Sequence, residues 1–194
     1  MTDVIIIGAG GHGKVVADIV RARGDKILGF LDDSAQGALG KISDYGKFYC
    51  VEFVVAIGDN RARKQIAGML ENVKWYTPIH PTAIISPSAV IGEGTVVMPG
   101  AVINADAKVG RHCIINTTAV VEHDCKIGDF CHISVGAKLG GTVRTGEGTM
   151  IGIGAAVRNN TEICKWCTVG AGAVVVKPIN AAGVYVGVPA GKSN

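Results

Sequence analysis

The sequence IHPTAIISPSAVIGEGTVVMPGAVINADAKVG, residues 79–110, repeats a pattern of six residues without a gap. Each repeat begins with a branched aliphatic residue, and its fifth residue is small. The same phase continues to Val175, and only Thr145 among the leading residues is not a branched aliphatic. Such a period predicts a parallel β-helix, in which each turn buries its apolar row against neighbouring turns.

The repeats IGEGTV, IGDFCH and VGAGAV (residues 91–96, 127–132 and 169–174) resemble the [Ile/Leu/Val]-Gly-x-x-x-x unit of the left-handed β-helix acyltransferases. This resemblance covers residues 79–175. It implies that three hexads form one triangular coil, which gives about five coils. It also implies a homotrimer with active sites between neighbouring prisms.

Composition excludes several classes of protein. The net charge is +3 without a basic cluster, and aromatic residues make up 5% of the chain, so a nucleic-acid partner is not indicated. The N-terminus lacks the pattern of a signal peptide, and no apolar run approaches a membrane span. We therefore expect a cytoplasmic protein that does not insert into a membrane.

Four of the six cysteines occupy the small inward position of the hexad, which predicts reduced thiols in the core: Cys113, Cys125, Cys131 and Cys167. This use of cysteine fits a reducing compartment. Cys164 occupies a polar hexad position and is separated from Cys167 by two residues. No second pair completes a zinc site, so we expect no metal.

The first 78 residues alternate apolar strands with helical segments. Strands are predicted over Val4–Ile7, Lys26–Leu31, Glu52–Ile57 and Val73–Tyr76, and a helix over Arg61–Leu70 with Ile66, Met69 and Leu70 on one face. Gly8–Gly13 reads G-x-G-x-x-G between the first strand and an amphipathic helix. This context favours a phosphate-binding turn over a merely structural one.

A complete dinucleotide fold needs two βαβαβ halves, and residues 1–78 can form only one. We therefore predict a half-Rossmann-like α/β domain that binds one nucleoside diphosphate, followed by the β-helix over residues 79–194. The predicted contacts are Gly10, Gly11 and His12 near the phosphates, Asp32 and Asp33 near the nucleoside, and Gly58 at the carboxyl edge of the third strand.

His123 is the side chain that the repeat does not require. It stands between Glu122 and Asp124 at an outward corner, and His132 follows nine residues later. A histidine with a carboxylate partner is the usual general base near neutral pH. The alternative for an isolated outward histidine is a solvated surface residue.

The GxGGHG turn, the Leu-Asp-Asp and AIGDN strand ends, the segment NTTAVVEHDCKIGDFCHISVGAKLGG and the terminal VGVPA together resemble a narrower family. It comprises bacterial sugar O- and N-acetyltransferases, including those of the bacillosamine pathway. The resemblance implies acetyl-CoA as co-substrate and the following roles: His123 as base, Asp124 as its partner, Asn116 in the active site, Gly141 N–H as oxyanion donor, and His132, Gly152, Ile153 and Gly170 along the acetyl-CoA channel. Asp124 departs from the Glu of the bacillosamine enzyme.

This reading predicts an acetyl-CoA-dependent N-acetyltransferase that modifies a nucleotide-linked amino sugar, most closely a UDP-4-amino-4,6-dideoxy sugar. The amine would attack the thioester directly, because no cysteine lies beside a base to form an acetyl-enzyme. The first alternative is an O-acetyltransferase acting on sialic acid or another sugar hydroxyl. The second is a non-catalytic scaffold that senses a nucleotide sugar.

Overall fold

The N-terminal domain is a four-stranded sheet with helices, in a computed structural model that describes residues 1–193. Its elements are β1 (Asp3–Ile7), α1 (Gly11–Ala22), β2 (Lys26–Leu31), β3 (Glu52–Val55), α2 (Asn60–Met69) and β4 (Lys74–Trp75). The order is β2-β1-β3-β4 and every pairing is parallel. The predicted half-Rossmann-like arrangement is confirmed, although the connection between β2 and β3 also contains a 3-10 helix, Ile42–Lys47.

The face predicted for α2 is partly wrong. Met69 is 51% exposed, whereas Arg63 is 1% exposed and Ala67 is buried. The helix packs on its own sheet with one side and reaches the β-helix with the side that carries Arg63. Hydrophobic periodicity cannot identify a buried guanidinium, because that pattern counts arginine as a solvent-facing residue.

The C-terminal domain is a triangular β-helix with three sheets, here called its first, second and third faces, in which every strand pairing except that of the last strand is parallel. The first face contains β7 (Val96–Val97), β10 (Ile114–Ile115), β13 (His132–Ile133), β16 (Met150–Ile151), β19 (Thr168–Val169), β21 (Val184–Val186) and β22 (Gly191–Lys192). The second contains β5 (Ile84–Ile85), β8 (Val102–Ile103), β11 (Val120–Val121), β14 (Lys138–Leu139), β17 (Ala156–Val157) and β20 (Val174–Val175). The third contains β6 (Val90–Ile91), β9 (Lys108–Val109), β12 (Lys126–Ile127), β15 (Arg144–Thr145) and β18 (Glu162–Ile163).

Paired strands on each face lie three hexads apart, as the Ile114–His132 and Val120–Lys138 pairs show. The hexad register is therefore confirmed: leading aliphatics and small fifth residues together line the core. The stack continues past the last predicted hexad through β21, and β22 closes it with an antiparallel pairing. The boundary predicted between residues 78 and 79 stays a prediction, and Ile79 already pairs with Val97.

The cysteines follow the predicted register with one difference. Cys113, Cys125, Cys131 and Cys167 are buried, as expected. Cys164, predicted at a polar hexad position, instead packs against the core with its Sγ 3.2 Å from Sγ of Cys167. The extra thiol fills space at a turn that the six-residue pattern alone does not describe.

The N-terminal domain covers the first coils of the first face. Val96, Met98 and Ile114 of this face share one apolar cluster with residues of α1 and the four-stranded sheet. His112 lies between the rings of Trp75 and Phe130, with centroids 4.5 and 5.2 Å away. This contact places the carboxyl edge of the N-terminal sheet beside the strand that carries His132.

The second face is apolar and uncovered by the described part of the chain. Its outward residues are Ile84, Val102, Val120, Lys138, Ala156 and Val174, only one of which is charged. The third face differs, because four of its five outward residues are charged: Lys108, Lys126, Arg144 and Glu162. A monomer would therefore expose one apolar strip along its length. Neither helix within residues 1–193 is long and apolar enough to cross a membrane.

Candidate active site

His123 lies on the second corner, defined as the turns between the second and third faces. Its Nδ1 is 2.8 Å from Oδ2 of Asp124, and 58% of its side chain is exposed. The hydrogen bond to Asp124 raises the pKa of His123 above its ordinary value of 6.5. Because the carboxylate accepts the Nδ1 proton, the neutral imidazole presents Nε2 as a free base.

Gly141 lies one coil above His123 on the same corner. A Cβ added to Gly141 would lie 2.5 Å from His123 Nε2 and 2.7 Å from its Cε1. The imidazole therefore rests directly against this glycine. No described residue accepts a hydrogen bond from the Gly141 N–H, so this group is free for the oxyanion role predicted for it.

Gly141→Ala is expected to lower kcat by about 10- to 100-fold, because a misplacement of about 1 Å at a reacting group can have that cost. The added methyl group would push the imidazole off the corner without affecting the core. Gly46→Ala is the matched control, since a Cβ there meets no atom within 4 Å. Steady-state rates at equal melting temperatures test this, and an unchanged kcat would contradict the assigned position of His123.

Asp124→Asn is expected to shift the pH profile. If the neutral form of His123 is the base, as predicted, kcat/KM should rise with pH through a pKa that lies above 6.5 in the native protein. Without the carboxylate this pKa falls, and the rising limb should move to lower pH. The plateau should also drop, on the order of tenfold, because the tautomer is less well fixed. A profile that does not move would remove Asp124 from its assigned role.

Asn116 and His132 meet near the first corner, defined as the turns between the first and second faces. Asn116 Nδ2 is 3.0 Å from His132 Nε2, and Asn116 Oδ1 accepts a hydrogen bond from the Thr117 N–H. Burial lowers the pKa of His132 to about 4, so the ring is neutral and its Nε2 accepts the amide proton. This pair is preorganised, but its histidine is a weak base, because its pKa is lowered and it has no carboxylate partner of the kind that Asp124 gives His123.

The predicted site residues thus divide between two corners. Gly152, Ile153 and Gly170 lie with Asn116 on the first corner, and His123 lies with Asp124 and Gly141 on the second. Ile153 is 59% exposed. Gly152 is also required by the stack, because a Cβ there would lie 2.6 Å from Val169 O. The whole second face separates the two groups within one chain.

The turn that is predicted to bind phosphate lies at the N-terminus of α1. Gly10 is its N-cap and makes no side-chain capping bond, so the first N–H groups of this 12-residue helix remain available to an anion. A Cβ at Gly10, Gly11 or Gly58 would meet no atom within 4 Å. Protein packing therefore does not require these three glycines, and they leave open space in front of the turn.

Gly13 differs from these glycines, because a Cβ there would collide with the carbonyl oxygen of Gly8. Gly11→Ala is accordingly expected to fold with an unchanged melting temperature and to weaken UDP or GDP binding by about tenfold or more. Gly13→Ala should instead lower the free energy of unfolding by about 1–3 kcal/mol. Calorimetry on both variants checks this, and equal binding by Gly11→Ala and the native chain would contradict the turn's role.

The two aspartates after β2 are committed to the backbone. Asp32 Oδ2 accepts the Ala9 N–H at 2.8 Å, and this bond is the main reason that its pKa falls to about 2. Asp33 Oδ1 accepts the Ile42 N–H at 2.9 Å. Asp32 thereby fixes the glycine turn, a role that the sequence did not reveal. A contact of either residue with a nucleoside stays a prediction.

His12 is the third predicted phosphate contact, and burial lowers its pKa to about 4. Its Nε2 is buried without a hydrogen-bond partner among the described residues. A neutral histidine with a free nitrogen at the start of α1 can serve a ligand as donor or acceptor.

A cleft of about 160 Å³ between the domains was not predicted. Gly58, Asn60 and Arg61 line one side, and Met150 and Trp166 line the other. The Arg61 guanidinium stacks over the Trp166 ring at 4.4 Å. Met150 pairs with His132 on the first face. The cleft therefore runs from the Gly58 turn to the strand beside His132. Among residues 1–193, no group of three or more potential ligands is arranged to hold a metal ion.

Comparison with known proteins gives two family matches. The PglD N-terminal domain matches residues 3–70, and the bacterial transferase hexapeptide (six repeats) matches residues 88–122. UDP-N-acetylbacillosamine N-acetyltransferase of Bacillus subtilis (strain 168) is 43% identical over 112 residues, which cover 50% of this chain and 52% of that protein. The alignment therefore spans about half the length of this curated relative.

Solved structures match the whole chain. The acetyltransferase domain of PglB from Neisseria gonorrhoeae FA1090 has a TM-score of 0.95, 40% identity and complete coverage of both chains, and a second structure of it contains acetyl coenzyme A. GDP-perosamine N-acetyltransferase from Caulobacter crescentus, solved with CoA and GDP-perosamine, has a TM-score of 0.94 and 37% identity over 100% of this chain and 98% of that one. The fold and these matches together show that the chain belongs to the left-handed β-helix (hexapeptide-repeat) sugar acetyltransferase family that carries a PglD-type N-terminal domain.

Proposed function

We propose that this protein transfers the acetyl group of acetyl-CoA to the amine of a nucleotide-linked amino sugar, of the UDP-4-amino-4,6-dideoxy (bacillosamine) type. The observation that carries the proposal is the second corner, where His123, paired with the Asp124 carboxylate, lies with its Nε2 against Gly141. The uncapped α1 turn adds an anion site on the same chain. One structure of the PglB domain contains acetyl coenzyme A, and the structure of the perosamine enzyme contains CoA and GDP-perosamine. These ligands support acetyl-CoA and a nucleotide-linked amino sugar as the two substrates.

The residues of the second corner suit the following acetyl transfer. The sugar amine attacks the thioester carbonyl, and His123 Nε2 takes the amine proton as the new C–N bond forms. The Gly141 N–H stabilises the oxyanion of the tetrahedral species, a donor worth about 3 kcal/mol. The imidazolium, held by Asp124, returns its proton to the departing CoA sulfur. The base is then restored.

Assembly as a homotrimer completes the proposed site. The base and the acetyl-CoA residues lie on different corners of one prism, and packing prisms against each other brings unlike corners together. The apolar second face joins those two corners, so its burial in a trimer would place the corners of neighbouring chains side by side. Acetyl-CoA would then lie between the first corner of one chain and the second corner of the next.

An assay with acetyl-CoA and a panel of UDP- and GDP-linked amino sugars, which follows free thiol release, tests the proposal. Release with an amino sugar and none with the corresponding hydroxyl sugar is the expected result. Sialic acid in the same panel tests the O-acetyltransferase alternative. The diphosphate turn favours the nucleotide-linked substrate, because free sialic acid has no diphosphate for Gly10 and Gly11 to meet. Thiol release with hydroxyl acceptors alone would overturn the choice.

A further inference from the structure

Arg63 is the most deeply buried charged side chain described, with 1% of its surface exposed. It lies on α2 and its guanidinium spans the boundary between the two domains. Its hydrogen bonds run from Nε to His112 O (2.8 Å), from Nη1 to Ile57 O (2.8 Å) and Gly58 O (3.1 Å), and from Nη2 to Asn60 Oδ1 (2.7 Å) and Phe130 O (2.9 Å). Every acceptor is a carbonyl oxygen.

This arrangement is not an efficient way to gain stability. Within residues 1–193, no carboxylate forms an ion pair with Arg63. Burial is the main cause that lowers its pKa to about 10, which still leaves the group charged near neutral pH. Buried charges usually contribute no more stability than apolar side chains of the same volume. What an apolar side chain cannot supply is a planar fork that fixes several acceptors at once.

The acceptors belong to the two halves of the proposed site. Ile57 and Gly58 form the turn after β3, where the nucleotide is expected to bind. Phe130 precedes the strand that begins at His132, on the prism that is expected to bind acetyl-CoA. Asn60 adds a second link, because its Nδ2 donates to Gly148 O at 3.1 Å.

We propose that Arg63 is a positioning residue, which locks the Gly58 turn onto the prism beside His132 and so sets the distance between the sugar amine and the thioester. The inference rests on the proposed function. Each substrate is bound by one domain, and the reaction needs the two domains in fixed register. Arg63 contacts neither substrate and acts through the backbone that it holds.

Arg63→Lys tests this role, because lysine keeps the charge but cannot reach both sets of carbonyl groups. The expected result is a 10- to 100-fold loss of kcat, the cost of about 1 Å of misalignment. The dissociation constants for CoA and for UDP or GDP should stay within about threefold, since each binding surface remains intact. A merely structural role would instead lower the bound stoichiometry of both probes together.

Asn60→Ala is the second variant, in case Arg63→Lys does not fold. It removes one acceptor and the link to Gly148, and kcat should fall about threefold to tenfold with unchanged dissociation constants. Lys64→Ala is the matched control: it breaks an exposed ion pair with Glu147 across the same boundary and should leave kcat within about twofold.

The outcomes separate the inference from the proposed function. If the native chain binds neither UDP nor GDP and releases no thiol with amino sugars, the proposed function fails, and the inference fails with it. If the native chain is active and both variants keep its kcat, only the role of Arg63 is overturned. If a folded variant loses CoA or nucleotide binding to the same extent as it loses kcat, the positioning role of Arg63 is also overturned.

Discussion

His123→Ala is expected to lower kcat by about 10²- to 10⁴-fold, the usual contribution of a positioned general base. The side chain is exposed on a corner and contributes nothing to the core, so the fold should not change. The dissociation constant for CoA should also remain within about threefold, because the loss concerns a proton transfer in the transition state. Rapid-mixing or steady-state rates with calorimetric binding measure both quantities.

His80→Ala serves as the control for this variant. His80 also lies on the β-helix, where its Nδ1 contacts the Thr82 hydroxyl at 2.8 Å. It lies on the first corner two coils below Asn116, outside the predicted site, so its loss should leave kcat within about twofold. If His123→Ala keeps more than about a tenth of native kcat, another group is the base and the proposed mechanism is wrong.

Mixed trimers of His123→Ala and Asn116→Ala chains are expected to regain about a quarter of native activity when the two variants are co-expressed in equal amounts. Each variant alone should be nearly inactive, because one lacks the second corner and the other lacks the first. In random trimers, about one site in four combines the intact second corner of one chain with the intact first corner of its neighbour. Two affinity tags allow the mixed trimers to be purified, and their expected activity is then about a third of native, because each mixed trimer has one such site in three.

The control pairs two variants on the same corner. His123→Ala co-expressed with Gly141→Ala should show no gain over the mean of the two parents, since no interface receives an intact second corner. Failure of the Asn116 pair to recover activity would show that each site is built within one chain. Sedimentation would then reveal whether the apolar second face is covered in another way.

The β-helix could be predicted because its repeat is local. Each leading aliphatic and each small fifth residue reports its own position, and the pairing three hexads apart follows from the period. The strand–turn–helix around Gly8–Gly13 was accessible for the same reason. The outward position of His123 followed directly, because a core register shows which residues it does not use.

The contacts between the domains could not be predicted. Arg63 meets Phe130 O across 67 positions of sequence, and no periodicity links the two. Its burial depends on how the N-terminal sheet is seated on the first face. Asp32 was predicted to lie near the nucleoside, but its bond to the Ala9 N–H depends on backbone geometry that the sequence does not show. Whether the two corners meet depends on another copy of the chain.

The thiols inside the stack offer a measure of local opening. Cys113, Cys125 and Cys131 lie in three of the four hexads between residues 109 and 132, and Cys167 lies near the C-terminal end. All four are buried, whereas Cys50 is exposed. A thiol reagent can reach a core cysteine only when its coil separates from its neighbours. The modification rate at each position therefore reports the free energy of opening that coil. Every coil contacts only the coils beside it. The modification rates at these positions would therefore show where along the stack the coils separate most easily.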